Sequence, residues 1–194
     1  MKIVLASNSP RRRQLLSMIY PDYVVAEPRE VDEVYPADCP PEQVPLYLSQ
    51  LKASAYIHDL DPDTVLITAD TVVILDGAIL GKPKSREQAV EMLRSLRDRS
   101  HIVVTGVTLS RCGLPQRSFA EHTRVTFGHL SDSEICHYVD TYKPFDKAGA
   151  YGVQEWVGGV GISHIDGCFY NVMGLPLHAL YHNLNAYQKL TPKE

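Results

Sequence analysis

Three consecutive arginines, Arg11, Arg12 and Arg13, stand where a helix is expected to begin. Met1–Ala6 is an apolar run that reads as a buried strand, and Ser7-Asn8-Ser9-Pro10 follows it. Ser9 suits an N-cap and Pro10 the first helical position. Leu15, Leu16 and Ile19 then make a buried stripe at helical spacing. A first turn carries unpaired N–H groups and the positive end of the helix dipole, so each exposed cation there is disfavoured by roughly a few tenths of a kcal/mol. The conflict points to a partner, and the simplest is an anion cradled by strand end, polar loop and helix N-terminus. A solvated basic turn is the plainer alternative.

A second candidate group is acidic. Asp70 interrupts Val65–Leu75, the strongest strand signal in the chain. A buried charge without a partner is costly, so Asp70 must be paired, bound to metal, or placed at an open strand end. A structural hydrogen-bond hub with Thr68 or Thr71 is an equal alternative. Glu30, Asp32 and Glu33 lie on an acidic loop. Hard divalent cations take oxygen ligands from a few carboxylates plus substrate phosphates, and Asp70 with Glu33 could supply them. Lys52 on an expected helix, Lys82 after Gly81, and Lys147 in a glycine-rich stretch would, with Arg12, form a basic pocket suited to a polyphosphate.

Other chemistries are poorly served. His178 and His182 have i, i+4 metal spacing but no evident third ligand. No Ser or Cys triad, Walker A loop or G-x-G-x-x-G pattern is present. Cys39, Cys112, Cys136 and Cys168 are far apart without a C-x-x-C pair, and are expected as free thiols in a reducing cytosol.

The chain has 194 residues, 44% hydrophobic and 22% charged, with a formal net charge of −4. This fits one sizeable globular domain, or a tight two-lobed one, with no global basic field to recruit nucleic acid. Neither a signal peptide nor a membrane-spanning run is expected, so the reading is cytoplasmic.

The remaining elements follow from periodicity and turn chemistry. Tyr23–Ala26 reads as a short strand, and Glu42–Ile57 as a helix carrying Lys52. Asp76-Gly77 marks a hairpin returning through Ala78–Leu80. Ser85-Arg86-Glu87-Gln88 and Ser131-Asp132-Ser133-Glu134 have the spacing of capping boxes opening helices. Strands are expected at Ile102–Leu109 and Ser118–Phe127. A further hairpin is expected from Val160–Ile165 and Cys168–Val172 around Asp166-Gly167, then a helix after Gly174-Leu175-Pro176 to about Tyr187. Lys189–Glu194 is expected to fray. Strands mixed with helices predict an α/β, or mixed α+β, fold with a long mixed sheet flanked by helices.

Seven segments in order carry a resemblance. They are Leu5-Ala6-Ser7-Asn8-Ser9-Pro10-Arg11-Arg12, Val31-Asp32-Glu33, Lys52-Ala53, Thr68-Ala69-Asp70-Thr71-Val72-Val73, Gly81-Lys82-Pro83, Asp146 through Gln154, and Asn171-Val172-Met173-Gly174-Leu175-Pro176. Together they resemble the Maf family of nucleoside triphosphate pyrophosphatases across nearly the whole chain.

The resemblance implies one domain over residues 1–194, two-lobed around a central cleft and similar to inosine triphosphate pyrophosphatases. It implies cleavage of a nucleoside triphosphate to monophosphate and pyrophosphate with Mg2+ or Mn2+. On this basis Asp70, Glu33 and Lys82 are the catalytic residues, with Asp70 and Glu33 on the metal. Ser7, Ser9, Arg11, Arg12, Lys52, Lys147 and Gln154 bind substrate. The stretch from Lys147 to Gln154 resembles the branch acting on dTTP and UTP. The expected partner is the nucleotide, with no nucleic acid or membrane, and a homodimer is admitted. Alternatives are a non-catalytic nucleotide-binding regulator of septum formation, or a pyrophosphatase of 7-methyl-GTP or inosine triphosphate type. Arg13, Leu96–His101 and Trp156 depart from the family pattern, and Trp156 lies next to the residues tied to base preference.

Overall fold

The computed structural model describes residues 1–190. Seven strands share one sheet in the order β2-β1-β3-β5-β6-β7, with β4 paired to β3. They are β1 Lys2–Leu5, β2 Val24–Val25, β3 Thr64–Leu75, β4 Ala78–Leu80, β5 Ser100–Ser110, β6 Arg117–Phe127 and β7 Ile162–Asp166. The helices are α1 Pro10–Ser17, α2 Val44–Ser54, α3 Arg86–Leu96, α4 Asp132–Tyr142, α5 Trp156–Gly161, α6 Phe169–Met173 and α7 Leu177–Gln188. The mixed α/β class is as the alternation of signals predicts. The chain divides into two compact units: one of Met1–Asp70, Thr105–Glu121 and the chain from Gly174 on, the other of Thr71–Val104 and His122–Met173.

In the first unit β1 is parallel to both β2 and β3, with Leu5 opposite Val25 and Ile67. Ala6 N–H continues this ladder by donating to Ile67 O at 3.0 Å. The chain therefore leaves β1 beside the strand that ends in Asp70. Helix α2 lies directly on β5: a Cβ added to Gly106 would sit 2.4 Å from backbone atoms of Pro45 and Leu46. Ser49 Oγ shares a 2.8 Å hydrogen bond with Thr108 Oγ1. Thr68 Oγ1 donates to Ser49 O at 2.7 Å. Helix position and strand register are thus tied by buried polar contacts, whose partners leave little freedom to slide.

The second unit has its own core, built from Val73, Leu93, Val125, Phe127, Tyr138 and Tyr151 among others. Asp76 and Gly77 both have positive φ and join antiparallel β3 and β4, the geometry a two-residue hairpin requires. Ser131 and Glu134 form the reciprocal capping box that opens α4. Ser85 does cap α3 through Gln88 N, but Gln88 Oε1 accepts from Lys84 N, so no reciprocal box closes there.

The expected second hairpin is corrected by the structure. Val160 belongs to helix α5, and the segment after Gly167 is helix α6, not a strand. The antiparallel partner of β7 is β6, with Arg124 opposite Asp166. Cys168 is drawn off the sheet direction by Thr123, whose Oγ1 accepts from Cys168 N at 3.0 Å and donates to Cys168 O at 3.2 Å. The fully buried Asn171 then donates to Val103 O and Thr123 Oγ1. An apolar run with a buried amide to satisfy is better served by a helical turn here than by an edge strand.

At the chain end, Arg111 Nη1 donates to Leu190 O at 3.0 Å. The remainder of the stretch expected to fray, residues 191–194, lies outside the described residues. No helix among the described residues is long and apolar enough to cross a membrane. The four cysteines are free thiols.

Candidate active site

The arginine-rich first turn forms as the local chemistry predicts. Ser9 is the N-cap, in extended conformation, and its hydroxyl accepts from Arg12 N at 3.4 Å, with Pro10 in the first turn. Ser7 Oγ accepts from Ser9 N at 3.2 Å. Leu15 and Leu16 bury the far side of the helix. Backbone carbonyl oxygens accept from two of the three arginines. Arg12 donates from Nε to Gly174 O at 2.8 Å and from Nη1 to Ala69 O at 2.9 Å. Arg13 Nε donates to Ser7 O at 3.1 Å. These acceptors lie far from the first turn in sequence or on its own loop, so residue type there gives no sign of them. Burial pushes the pKa of Arg12 down, opposed by Asp70, reinforced by Arg11 and opposed again by Glu33. A guanidinium stays charged under such a shift.

Arg12 thereby grips the backbone one residue before Asp70. The Thr68 hydroxyl turns to Ser49 O, and Asp70 meets an ammonium. Its Oδ1 accepts from Lys52 Nζ at 2.5 Å, and Lys52 Nζ also lies 3.1 Å from Glu33 Oε1. Side-chain exposure is 18% for Lys52 and 14% for Asp70, against 52% for Glu33. The alternation of β3 puts Thr68 and Asp70 on one face. Thr68 meets Ser49, and Asp70 meets Lys52 three residues further along α2. Two carboxylates and one ammonium, all from the first unit, therefore converge with a fixed arginine behind them. Ser7, Ser9 and the half-buried Arg11 border the same strand-to-helix turn.

The donor set suits a hard divalent ion. Glu33 and Asp70 present carboxylate oxygens to the single positive charge of Lys52. Among the described residues, no group of three or more His, Cys, Asp or Glu side chains could hold a metal. Two carboxylates completed by substrate phosphates is how Mg2+ is often held. His178 and His182 are edge to face with ring centroids 4.7 Å apart, and among the described residues no third ligand joins them.

The other expected residues lie in the second unit. Lys82 and Gln154 are exposed. Gly149 N donates to Gly81 O at 3.1 Å, tying the backbone beside Lys82 to the loop that follows Lys147. Lys147 is buried, only 7% exposed, with Nζ 2.7 Å from Asp146 Oδ1 and 3.1 Å from Glu155 Oε1. Glu155 was not among the residues expected from sequence. Its place beside Gln154, at the end of a glycine-rich stretch, was the only signal.

The Maf-like protein family profile matches residues 2–187 of the chain. A dTTP/UTP pyrophosphatase of Bacteroides thetaiotaomicron is 55% identical over 183 residues, covering 94% of each chain. Another, from Porphyromonas gingivalis strain ATCC 33277, is 52% identical over 188 residues, covering 96% of this chain and 94% of its own. The solved Ham1 protein of Staphylococcus aureus superposes with a TM-score of 0.58 at 20% identity, over 96% of this chain and all of that one, and so shares its fold. The geometry around Asp70 and these matches lead to one statement of kinship: the chain belongs to the Maf-like protein family.

Proposed function

We propose that this protein is a nucleoside triphosphate pyrophosphatase that cleaves dTTP and UTP to the monophosphate and pyrophosphate. The observation that carries the reading is the convergence of Asp70 and Glu33 on Lys52. The pyrimidine preference is supported by relatives at 55% and 52% identity that bear that name. It is supported further by Lys147 and Gln154 at the positions that the family resemblance ties to the base.

Glu33 and Asp70 would hold a Mg2+ or Mn2+ ion, which when bound neutralises phosphate charge and lowers the pKa of a water. Asp70 orients the attacking water and takes its proton. The water oxygen bonds to the α-phosphorus as the bond from that phosphorus to the bridging oxygen breaks, and pyrophosphate leaves with the electron pair. Lys52 stabilises the charge that develops on the phosphate oxygens, a contribution of about 3 kcal/mol for one well-placed donor. Ser7, Ser9, Arg11 and Arg12 shape the phosphate end. Arg12 does so chiefly through backbone, because two of its donors already hold Ala69 O and Gly174 O.

The test is pyrophosphate release from a panel of nucleoside triphosphates with Mg2+ or Mn2+. Turnover of dTTP and UTP well above GTP and inosine triphosphate is expected. Release confined to purine nucleotides would overturn the base assignment, and release from none would overturn the enzyme reading.

A further inference from the structure

Tyr138 on α4 is fully buried and stacks on Tyr142 at 5.1 Å between ring centroids. Its hydroxyl makes two contacts within the second unit. It donates to Glu155 Oε2 in a short hydrogen bond, and it accepts from Gly152 N at 3.0 Å. Glu155 N in turn donates to Gly152 O at 3.0 Å, closing the turn that contains Gln154. The other oxygen of Glu155, Oε1, faces Lys147 Nζ at 3.1 Å. The carboxylate lies flat on Gly152: a Cβ there would stand 2.7 Å from Glu155 Cδ. One phenol therefore braces both ends of the Gly152–Glu155 turn, and one carboxylate passes that order on to a buried ammonium. Burial and the neighbouring carboxylate push the tyrosine pKa up, so the hydroxyl remains a donor.

A long lysine side chain held this way loses much of the freedom that would otherwise blur its position. Packing alone would need only the ring of Tyr138. The hydroxyl, the carboxylate and the bare Gly152 form a polar relay that ends on the two residues, Lys147 and Gln154, assigned to the pyrimidine. We infer that Tyr138 is a positioning residue for substrate selectivity, acting through Glu155 to fix Lys147 and the turn bearing Gln154; this rests on the pyrimidine reading above.

Tyr138→Phe removes the hydroxyl and keeps the ring. Steady-state kinetics with dTTP and GTP, beside thermal unfolding, test the inference. The variant is expected to raise KM for dTTP about tenfold and to lower the dTTP-to-GTP ratio of kcat/KM by about as much, with kcat for dTTP within about threefold of wild type. A lowered Tm with unchanged KM and unchanged ratio would show a purely structural tyrosine and overturn the inference. Should Tyr138→Phe fail to fold, Glu155→Gln, which keeps shape and removes charge, is expected to show the same KM and ratio changes, and wild-type values would overturn it. A wild-type protein that cleaves no nucleotide would sink the proposed function alone. Positioning is then read from reductive methylation of Lys147 followed by mass spectrometry. Several-fold faster modification in Tyr138→Phe is expected, and an unchanged rate overturns the inference.

Discussion

Lys52 and Asp70 form an ion pair at 2.5 Å, with the ammonium also within 3.1 Å of Glu33. Lysine thus occupies the position between the two carboxylates that are proposed to hold a divalent ion. On the proposed function an incoming metal would displace Lys52 from these carboxylates. Lys52→Met is expected to tighten Mn2+ binding, measured by calorimetry, by about tenfold, the effect of one lost like-charge interaction of roughly 1.4 kcal/mol. The same variant should lose stability in the absence of metal, because Asp70 loses its hydrogen-bonded ammonium partner. Unchanged or weaker Mn2+ affinity would contradict this account of the pair.

Arg12 is expected to resist replacement by lysine. Its planar fork spans Ala69 O and Gly174 O, which an ammonium on a flexible stem cannot do at once. Arg12→Lys should cost about 1.5–3 kcal/mol in urea unfolding, the range for a lost hydrogen bond to a charged group. It should also lower kcat, because Ala69 directly precedes Asp70. A variant with wild-type stability would show that these contacts are incidental.

Gly106 is where α2 rests on β5, and Gly106→Ala places a methyl 2.4 Å from the helix backbone. Backbone must move, at a cost of about 1–3 kcal/mol for overpacking of this kind. Because the helix carries Lys52, activity is expected to fall further than stability accounts for. Thermal unfolding beside kcat checks both, and an active variant with an unchanged Tm would refute the close approach.

His101 supplies a pH dependence. It is 2% exposed, shares a 2.7 Å hydrogen bond between Nε2 and Tyr151 OH, and has no hydrogen-bond partner at Nδ1 among the described residues. Burial pushes its pKa down to about 4. Above the unfolded value of about 6.5 both states are neutral. Between there and about 4 only the unfolded chain takes up the proton, so stability falls with pH. Full protonation of the unfolded chain at this site would remove at most about 3 kcal/mol. Urea unfolding from pH 7 to pH 4.5 should show this loss, and His101→Gln should flatten it. An equal slope in the variant would assign the acid sensitivity elsewhere.

The strands, the first-turn arginines and the hairpin at Asp76-Gly77 were legible because local chemistry decides them. The N-cap, the proline and the β-branched run each favour one conformation regardless of the rest of the chain. The partners were less legible. That Arg12 would meet carbonyls at Ala69 and Gly174 depends on backbone distant in sequence, to which residue type gives no clue. The helix at Phe169–Met173 was misread because its apolar residues fit strand and helix alike, and the deciding contact, Asn171 with Val103 and Thr123, is tertiary. Nothing in the type or spacing of Tyr138 distinguishes it from a core aromatic on an amphipathic helix. Only its hydroxyl contacts set it apart.

The central claim is that Asp70 activates water for attack on the α-phosphate. It is tested most directly by single-turnover pyrophosphate release from dTTP by wild type and Asp70→Asn, with dTTP binding measured in parallel. The account predicts release in wild type, a rate at least about a hundredfold lower in the variant, and nucleotide affinity within about tenfold. A variant that releases pyrophosphate at the wild-type rate would make Asp70 a structural partner of Lys52 and nothing more.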